Sequence, residues 1–407
     1  MIEIPLAFKN FTPRELYVDK TEPFIDTPVI KVLTGQRRVG KSYLLFQLMN
    51  CIRDKKPNAN ILYINMELRE FSALKDDSLL YAFVKEKCKL YDHTYLFIDE
   101  IQEVAHFERA IRSLFAEGVF DIYCTGSNSH LMAGDLATYL SGRYVEIEIH
   151  ALTYIEFQVF HKLQDNAATL EKYIKWGGLP AIAQFPQSDM VISQFVESVK
   201  DTILLKDIVQ RYNVRNVSFL KNLLFYLSDN MGSLVSAKRI SDFLKSQQIQ
   251  VGMQTVLDYL DFLDSSFLVQ RVKRFEIGGR KIFEVGEKYY FEDLGIRHTL
   301  TPFNRRDMGK VLENLVYHHL KAHGYEVFVG KAGVNEIDFV AQKANSTLYF
   351  QVALQITSQE TSDREYNNLI DIKDNFPKYL ITMDELETAD FKGIKHLDIR
   401  AFLMTEW

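Results

Sequence analysis

One glycine-containing stretch of the sequence combines residue types and spacing that suit the binding of phosphate. Residues 35–42 read Gly-Gln-Arg-Arg-Val-Gly-Lys-Ser and fit the pattern G-x-x-x-x-G-K-S/T. Gly35 and Gly40 let the backbone turn its N–H groups towards an anion, because neither carries a Cβ atom. Lys41 is expected to reach the β- and γ-phosphates of a nucleotide, and Ser42 to ligate Mg²⁺. The predicted ATP-binding residues are Gly35, Gln36, Arg37, Arg38, Val39, Gly40, Lys41, Ser42 and Tyr43.

Two adjacent carboxylates further along the chain add the chemistry of hydrolysis. Asp99 and Glu100 directly follow the apolar residues 95–98, Tyr-Leu-Phe-Ile, which predict a buried strand. Ligands of open α/β sheets bind at the carboxyl ends of the strands, so we expect both acids beside the loop. Asp99 is predicted to hold Mg²⁺ through its water shell, and Glu100 to polarise the attacking water. The sequence therefore predicts a site for Mg²⁺-dependent hydrolysis of ATP.

A third apolar run ends in small polar residues. Residues 120–125 predict another strand, and Thr125, Ser127 and Asn128 stand at its carboxyl end. One of these side chains is expected to sense the γ-phosphate, and Asn128 is counted among the nucleotide-binding residues. The alternative is an ordinary turn from a strand into a loop.

The elements that must position these residues alternate along the first 150 residues. Apolar, β-branched runs separated by helical segments predict a parallel sheet with crossover helices. Residues 65–67 end the second strand at the same edge as the loop, and residues 11–16 are expected to cover the adenine. The predicted strands are 29–34, 60–65, 95–99, 120–125 and 144–149.

Composition bounds the classes to which the protein can belong. At 407 residues the chain is too long for one core, so two or three domains are expected, and 47% hydrophobic residues indicate globular ones. The net charge of -6 argues against a generally cationic nucleic-acid binder, although a local basic patch is compatible with it. The three cysteines have no metal or disulfide spacing. With no membrane-length apolar run and no visible signal peptide, we predict a cytoplasmic protein without membrane contact.

The pattern divides the chain into four predicted domains, all within an α/β fold class. Residues 1–150 form the P-loop core, and residues 151–232 a helical lid or bundle. Residues 233–300 have the order helix, turn, helix, hairpin of a winged helix. Residues 301–407 are expected to form a small α/β unit.

The hairpin of the predicted winged helix is basic. It can contact DNA phosphates, or it can be a solvated edge on which Lys and Arg prevent strand pairing. Asp258, Asp261 and Asp264 on the preceding helix would repel phosphates, so packing against a protein is a further interpretation. The candidate DNA-binding residues are Arg271, Lys273, Arg274, Arg280 and Lys281.

The last unit has the layout of a PD-(D/E)XK nuclease. A helix with Glu313 precedes a strand with Asp338, which occupies the position of the first metal-binding carboxylate. This chemistry requires a second carboxylate and a lysine two residues after it. Gln351 and Ala353 stand at those positions. We therefore predict a nuclease-like fold without nuclease activity.

Two adjacent histidines, His318 and His319, lie on the helix that carries Glu313. Neighbouring helical residues point in different directions, so both side chains cannot bind one metal ion. We expect the pair to be structural.

Together these motifs resemble the prokaryotic AAA-type ATPases with a nuclease-like C-terminal domain. The resemblance spans nearly the whole chain and implies ATP binding, a winged-helix middle region and a restriction-nuclease-like tail. It does not imply a biological role. Residues 99–102, Asp-Glu-Ile-Gln, and 141–143, Ser-Gly-Arg, are its most specific parts. The other segments are 34–45, 97–104, 125–144, 177–180, 205–209 and 290–297.

Three arginines are candidates for contact with the γ-phosphate. Arg143 is predicted to stabilise its charge, in cis or from a neighbouring subunit. Arg109 and Arg112 are rivals, since AAA+ rings place arginines that act in trans near that position. A surface salt bridge is the alternative for each. A homo-oligomer or a nucleotide-dependent assembly is expected.

Three functions remain open at this point. The first is an ATPase that couples hydrolysis to work on DNA. The second is a nucleotide-driven switch that assembles or releases a protein partner. The third is a metal-dependent nuclease that ATP controls, which the missing lysine makes the weakest.

Overall fold

The protein is described by a computed structural model, which covers residues 11–129, 142–246, 251–279, 281–384 and 389–407. For residues 281–285 and 389 the description is limited to the backbone. The chain forms two compact units. The first comprises Met1–Ile149 with Ser265–Phe267, and the second comprises His150–Asp264 with Leu268–Trp407.

The first unit contains a five-stranded parallel sheet in the order β2-β3-β4-β1-β5. Strands β1, β3 and β4 are buried along their whole length, as expected of apolar runs covered on both faces. The predicted parallel sheet of a P-loop fold is confirmed. The strands are β1 Ile30–Thr34, β2 Ile61–Asn65, β3 Thr94–Asp99, β4 Phe120–Gly126 and β5 Tyr144–Glu148.

Register gathers the polar ends of three strands at one edge. Thr34 of β1 pairs with Gly126 of β4, and Ile98 of β3 pairs with Cys124. The carboxyl ends of β1, β3 and β4 are therefore level, so Asp99 and Thr125 lie at the edge where the loop after β1 begins. The helices of this unit are α1 Glu15–Thr21, α2 Lys41–Lys55, α3 Asp77–Cys88 and α4 Phe107–Ala116.

The second unit begins with helices. Thr153 and Glu156 form a capping box that starts α5, and Gly177, with φ of +79°, ends α6. Among the described residues, no helix is both long and apolar enough to cross a lipid bilayer. These helices are α5 Tyr154–His161, α6 Ala167–Trp176, α7 Asp189–Thr202, α8 Val217–Asp229, α9 Ala237–Ser246, α10 Met253–Ser265 and α11 Leu294–Leu300. Residues Ile203–Gln210 continue α7 as a π-helix.

The second unit also contains an eight-stranded mixed sheet in the order β12-β13-β11-β10-β9-β8-β6-β7. Its strands are β6 Val269–Glu276, β7 Lys281–Phe291, β8 Glu326–Ala332, β9 Asn335–Lys343, β10 Ser346–Val352, β11 Lys378–Thr382, β12 Ala389–Phe391 and β13 Ile394–Asp398. The associated helices are α12 Met308–Ala322, α13 Gln359–Ile370 and α14 Ile399–Leu403.

The hairpin predicted as a wing is the edge of this sheet. Strand β6 pairs antiparallel with β7 on one side and parallel with β8 on the other. Phe275 of β6 packs against Phe328 of β8, with ring centroids 5.5 Å apart. The boundary predicted at residue 300 therefore divides a continuous sheet, because the apolar face of the hairpin is buried with the C-terminal strands.

Candidate nucleotide-binding site

The loop between β1 and α2 has a backbone that requires both glycines of its motif. Gly35 has φ of +140°, and a Cβ atom there would lie 2.1 Å from the carbonyl oxygen of Ile149. Gly40 has φ of +97° and precedes α2, whose first turn has no side-chain cap. The uncapped N–H groups of that turn carry partial positive charge, so the loop has the geometry of an anion site.

Lys41 lies inside this loop. Its side chain is buried, and Nζ donates hydrogen bonds to the carbonyl oxygens of Gly35 at 2.8 Å and Gln36 at 2.9 Å. The two contacts hold the ammonium group against the backbone of the loop, so its positive charge lies beside the predicted phosphate site.

Gln36 provides a test of whether the loop suits a polar ligand. Its side chain is fully buried, and neither Oε1 nor Nε2 has a hydrogen-bond partner in the described part of the chain. Buried polar atoms are nearly always paired, so an unpaired amide within the loop fits a site that receives a polar ligand.

The other residues of the loop have different surroundings. Arg37 is buried and pairs with Glu67 at 3.0 Å, whereas Arg38 is exposed. Val39 is buried, and its carbonyl oxygen accepts a hydrogen bond of 2.8 Å from Arg14. Tyr43 is half-buried on the first turn of α2. Arg14 belongs to the segment predicted to cover adenine, and the observed contact braces the loop.

The predicted magnesium ligands influence each other. Asp99 is 1% exposed, and the Ser42 side chain on the first turn of α2 acts to lower its pKa. Burial raises the pKa of Asp99, and the charge of Glu100 acts in the same direction, against the hydrogen bonds from Ser42, Thr125 and Tyr63. A hydroxyl beside a carboxylate is the oxygen donor set that Mg²⁺ prefers. Ser42 and Asp99 therefore fit the cation that ATP requires.

Thr125 positions both acids. Its Oγ1 donates a hydrogen bond to Oδ1 of Asp99 and accepts one of 2.9 Å from the backbone N–H of Glu100. Glu100 has φ of +57°, so the chain turns sharply directly after β3. A non-glycine residue in this region costs about 1–3 kcal/mol and persists where its surroundings impose it. Sequence reasoning proposed Thr125 as a sensor, and the structure assigns it this bridge.

The Glu100 carboxylate is held in a defined direction. Its Oε2 accepts hydrogen bonds from Gln102 and, at 3.3 Å, from the Ser127 hydroxyl. The side chain is 9% exposed, so it is nearly buried. Asn128 follows Ser127 at the end of β4 and is also buried. These two hydrogen bonds orient one oxygen of the Glu100 carboxylate. The backbone of Glu100 is positioned by the end of β3 and by its contact with β4.

Sequence reasoning missed Tyr63. Its hydroxyl donates a hydrogen bond of 3.0 Å to Oδ2 of Asp99, and Asn65 donates a longer one of 3.5 Å to the same atom. Burial, followed by the charge of Asp99, raises the pKa of Tyr63 well above its usual value. The sequence feature that could have revealed it is a tyrosine inside a predicted buried strand, because a buried hydroxyl requires a hydrogen-bond partner.

One arginine candidate, Arg143, is separated from this edge. Arg143 directly precedes β5, and its carbonyl oxygen accepts a hydrogen bond from Ile30, the first residue of β1. About 13 Å of strand therefore lies between this backbone and the loop after Thr34. The predicted role of Arg143 in cis needs correction, since it lies at the amino end of a parallel strand. Arg109 and Arg112 are exposed on α4, and a role in trans stays a prediction for all three.

The candidate DNA-binding residues are differently placed. Arg271 forms ion pairs with Asp261 at 2.8 Å and Asp264 at 3.4 Å. Its charge is neutralised by α10, which argues against its predicted contact with phosphate. Lys273 is exposed and Arg274 half-buried on β6. Two residues lie outside the description, Arg280 entirely and Lys281 in its side chain.

A lysine lies among the acids at the positions predicted to be nuclease-like. Lys288 of β7 is buried, and its Nζ lies 3.5 Å from Glu313, 2.9 Å from Glu336 and 3.8 Å from Asp338. Burial and the charge of Glu313 raise the pKa of Asp338 to about 8, against the charge of Lys288. Gln351 donates to Glu365 at 3.0 Å. The Lys288 ammonium group therefore occupies the position that a metal ion bound by these carboxylates would take.

Comparison with known proteins agrees with the geometry of the loop. Residues 27–158 match the family described as an AAA domain, and residues 167–307 match a domain of unknown function. Among solved structures, the chain is similar to the Aeropyrum pernix ORC1 protein in complex with DNA, with 13% identity and a TM-score of 0.35 over 73% of this chain and 94% of that one. AMPPCP-bound DnaA from Aquifex aeolicus has 14% identity and a TM-score of 0.35 over 54% and 78%. TM-scores of this size carry no information about activity.

Two relatives match nearly end to end. An uncharacterized protein of Haemophilus influenzae is 35% identical over 404 residues, which are 97% of this chain and 99% of the relative. An uncharacterized protein of Methanocaldococcus jannaschii is 29% identical over 412 residues, covering 95% and 91%. The chain therefore belongs to the same family as the Haemophilus influenzae protein, and it carries an AAA-type P-loop ATPase domain.

Proposed function

We propose that this protein binds ATP with Mg²⁺ and hydrolyses it. The observation that carries the proposal is the Thr125 bridge, which contacts the Asp99 carboxylate and the backbone N–H of Glu100 at the same edge of the sheet. One residue thus positions the predicted metal-binding acid and the predicted water-polarising acid together.

Each group has a distinct task in this proposal. Lys41 and the N–H groups of the loop bind phosphate oxygens, and Ser42 and Asp99 hold the cation or its water shell. When bound, Mg²⁺ neutralises charge that develops on the phosphates. The Glu100 carboxylate accepts a hydrogen bond from the attacking water, and Ser127 keeps that carboxylate in place.

Two variants separate binding from hydrolysis. Lys41→Ala is expected to abolish nucleotide binding, because it removes the buried positive charge. Glu100→Gln is expected to keep binding and to lower kcat by about 10²–10⁴, since only the polarisation of water is lost. Glu103→Gln, on the same turn, is the matched control. Fluorescent-nucleotide titration and phosphate release measure the two steps, and wild-type hydrolysis by Glu100→Gln would falsify the assignment.

The work driven by hydrolysis is a finer proposal, and DNA is its first candidate. Support comes from α9, α10 and the hairpin, which follow the order of a winged helix, with a bridge between Val235 and Glu287 in place of a third strand. Hydrolysis stimulated by single-stranded, duplex or branched DNA is expected at low salt. Equal rates with and without DNA, together with no DNA retention, would contradict it.

A protein-assembly switch is the second candidate, and a specific contact favours it. Arg271 is occupied by Asp261 and Asp264, so the hairpin offers less charge to DNA than its sequence indicates. A switch changes its oligomeric state or its partner with nucleotide. Light scattering with and without ATP tests this, and a partner-free monomer under both conditions counts against it.

For the C-terminal strands we propose a nuclease-derived fold without nuclease activity. Support comes from the order α12, β8, β9, β10, α13, β11 and from Lys288, whose ammonium competes with a metal ion for the same carboxylates. Incubation of plasmid DNA with Mg²⁺ or Mn²⁺ is expected to leave it intact. Cleavage that Asp338→Ala abolishes would overturn this proposal.

A further inference from the structure

Three buried side chains from distant parts of the chain meet inside the second unit. His150 is the first residue of that unit, Glu292 directly follows β7, and His318 lies on α12. They are 2%, 4% and 6% exposed, respectively, so each has lost nearly all contact with water. The nucleotide site uses none of them.

The spacing of their donor atoms matches a single metal ion. Nδ1 of His150 lies 3.1 Å from Oε2 of Glu292, and Nε2 of His318 lies 3.5 Å from Oε1. One ligand atom from each residue lies within 4.8 Å of the other two. Bonds of about 2.1 Å to tetrahedral Zn²⁺ separate neighbouring ligand atoms by about 3.4 Å. The three ligand atoms therefore lie close enough together to share one ion.

His318 gives an independent indication of a ligand. Its Nε2 is buried and, among the described residues, has no hydrogen-bond partner, although it faces the Glu292 carboxylate. Buried polar atoms are nearly always paired, and in the neutral tautomer with its proton on Nδ1 this atom has a lone pair that can bind a metal ion. A cation between the nitrogen and the carboxylate satisfies both groups.

The carboxylate is fixed from outside, as metal ligands commonly are. The backbone N–H of Ala151 donates a hydrogen bond of 2.8 Å to Oε1 of Glu292, and Gln270 donates one of 3.3 Å to Oε2. These donors set the direction of both oxygens.

A small cavity adjoins two of the three residues. It has a volume of about 10 Å³ and is lined by Glu292 and His318 together with Tyr173, Gly178 and Asp293. That volume is about the minimum for one water molecule. A water there completes a four-coordinate site, with three protein ligands and one exchangeable position.

We propose that His150, Glu292 and His318 bind one Zn²⁺ ion. Two imidazoles and one carboxylate favour Zn²⁺ over Mg²⁺ or Ca²⁺, which prefer oxygen ligands alone. The ion joins α12, the end of β7 and the first residue of the second unit, so it stabilises the fold of that unit. His319, one residue along α12, is outside the site, because its Nε2 lies 3.0 Å from the carbonyl oxygen of Thr405.

Metal analysis of the full-length protein tests the site. Protein treated with a chelator is dialysed against Zn²⁺ without nucleotide, and its metal content is measured by mass spectrometry. We expect one ion per chain, a thermal midpoint that rises on reloading, and a visible Co²⁺ spectrum of nitrogen and oxygen ligands after substitution. Failure of the wild-type protein to retain Zn²⁺ overturns the proposal, as does an unchanged midpoint.

Variants locate the ion. Glu292→Gln and His318→Gln are expected to lower affinity for Zn²⁺ about tenfold or more, since each replaces a strong ligand with a weak neutral amide and even changes to outer partners cost that much. His319→Gln is the matched control, a buried histidine on the same helix that should retain the ion. Equal retention by all three proteins places the ion elsewhere and overturns the proposal. If a variant fails to fold, the Co²⁺ spectrum of the wild-type protein tests the site instead. A spectrum without nitrogen ligands would overturn the proposal.

Discussion

Replacing Thr125 with valine isolates the bridge on which the proposed hydrolysis rests. Valine has nearly the shape of threonine, and the side chain is fully buried, so packing changes little. The variant loses the hydrogen bond to Asp99 and leaves the N–H of Glu100 unpaired. The test therefore removes the positioning of two acids without removing either acid.

The magnitude follows from those two contacts. A hydrogen bond to a charged group contributes about 1.5–3 kcal/mol, and an unpaired buried N–H costs about 1–3 kcal/mol. Asp99 keeps its contacts with Tyr63 and Ser42, so we expect a loss of about 2–4 kcal/mol in the free energy of unfolding. If Glu100 also loses its direction, kcat falls about a hundredfold, equivalent to about 2.7 kcal/mol in the barrier.

Denaturant unfolding and steady-state phosphate release measure these two effects separately. Nucleotide affinity should change little, because the loop and Lys41 are untouched. Thr125→Ser restores the hydroxyl and should recover most of the rate. Thr94→Val, a buried threonine at the other end of β3 that accepts a hydrogen bond from Asn60, controls for the loss of a hydroxyl.

Two results would refute the reasoning. The first is a Thr125→Val protein that is destabilised as expected but hydrolyses ATP at the wild-type rate. The second is a Thr125→Ser protein as slow as the valine variant, because the hydroxyl would then be irrelevant. Combining Thr125→Val with Glu100→Gln should add little to the loss of rate, since residues that act as one unit are not additive.

Two further outcomes are expected. Gly35→Ala should lower the free energy of unfolding by roughly 3 kcal/mol or more and abolish nucleotide binding, because the new Cβ meets the Ile149 carbonyl at 2.1 Å. Calorimetry measures the stability, and nucleotide titration measures the binding. Gly309→Ala, where a new Cβ meets open space, is the control. Burial, and then the charge of Lys172, lowers the pKa of His161 from 6.5 to about 4. As pH falls from 6.5 to about 4, the unfolded chain binds this proton before the folded chain does, so the free energy of unfolding decreases by at most about 1.4 kcal/mol per pH unit. His161→Gln should reduce this dependence on pH in unfolding curves. An unchanged dependence contradicts the assignment.

The placement of the loop and of the two acids at one sheet edge was predictable because its signals are local. The glycines of the loop and Lys41 are adjacent in sequence, and the acids follow one buried strand directly. Parallel strands bring their carboxyl ends to one edge, which is enough to join the two motifs. The same rule shows why Arg143 was misplaced in cis. It precedes the strand predicted at 144–149, and a residue before a parallel strand lies at the opposite edge.

Sequence reasoning missed charged residues that are buried by elements distant in the sequence. Lys288 stands in the sequence Glu-Lys-Tyr-Tyr at 287–290, where a lysine indicates a solvated strand face. In the structure it is 4% exposed, because carboxylates from α12 and β9 approach it. A buried charge requires partners, but those partners can be sought only once burial is known. His150 and Glu292 follow the same logic, since 142 positions separate two groups that lie 3.1 Å apart. Burial and pairing arise together from the tertiary fold, so periodicity along one strand cannot reveal either.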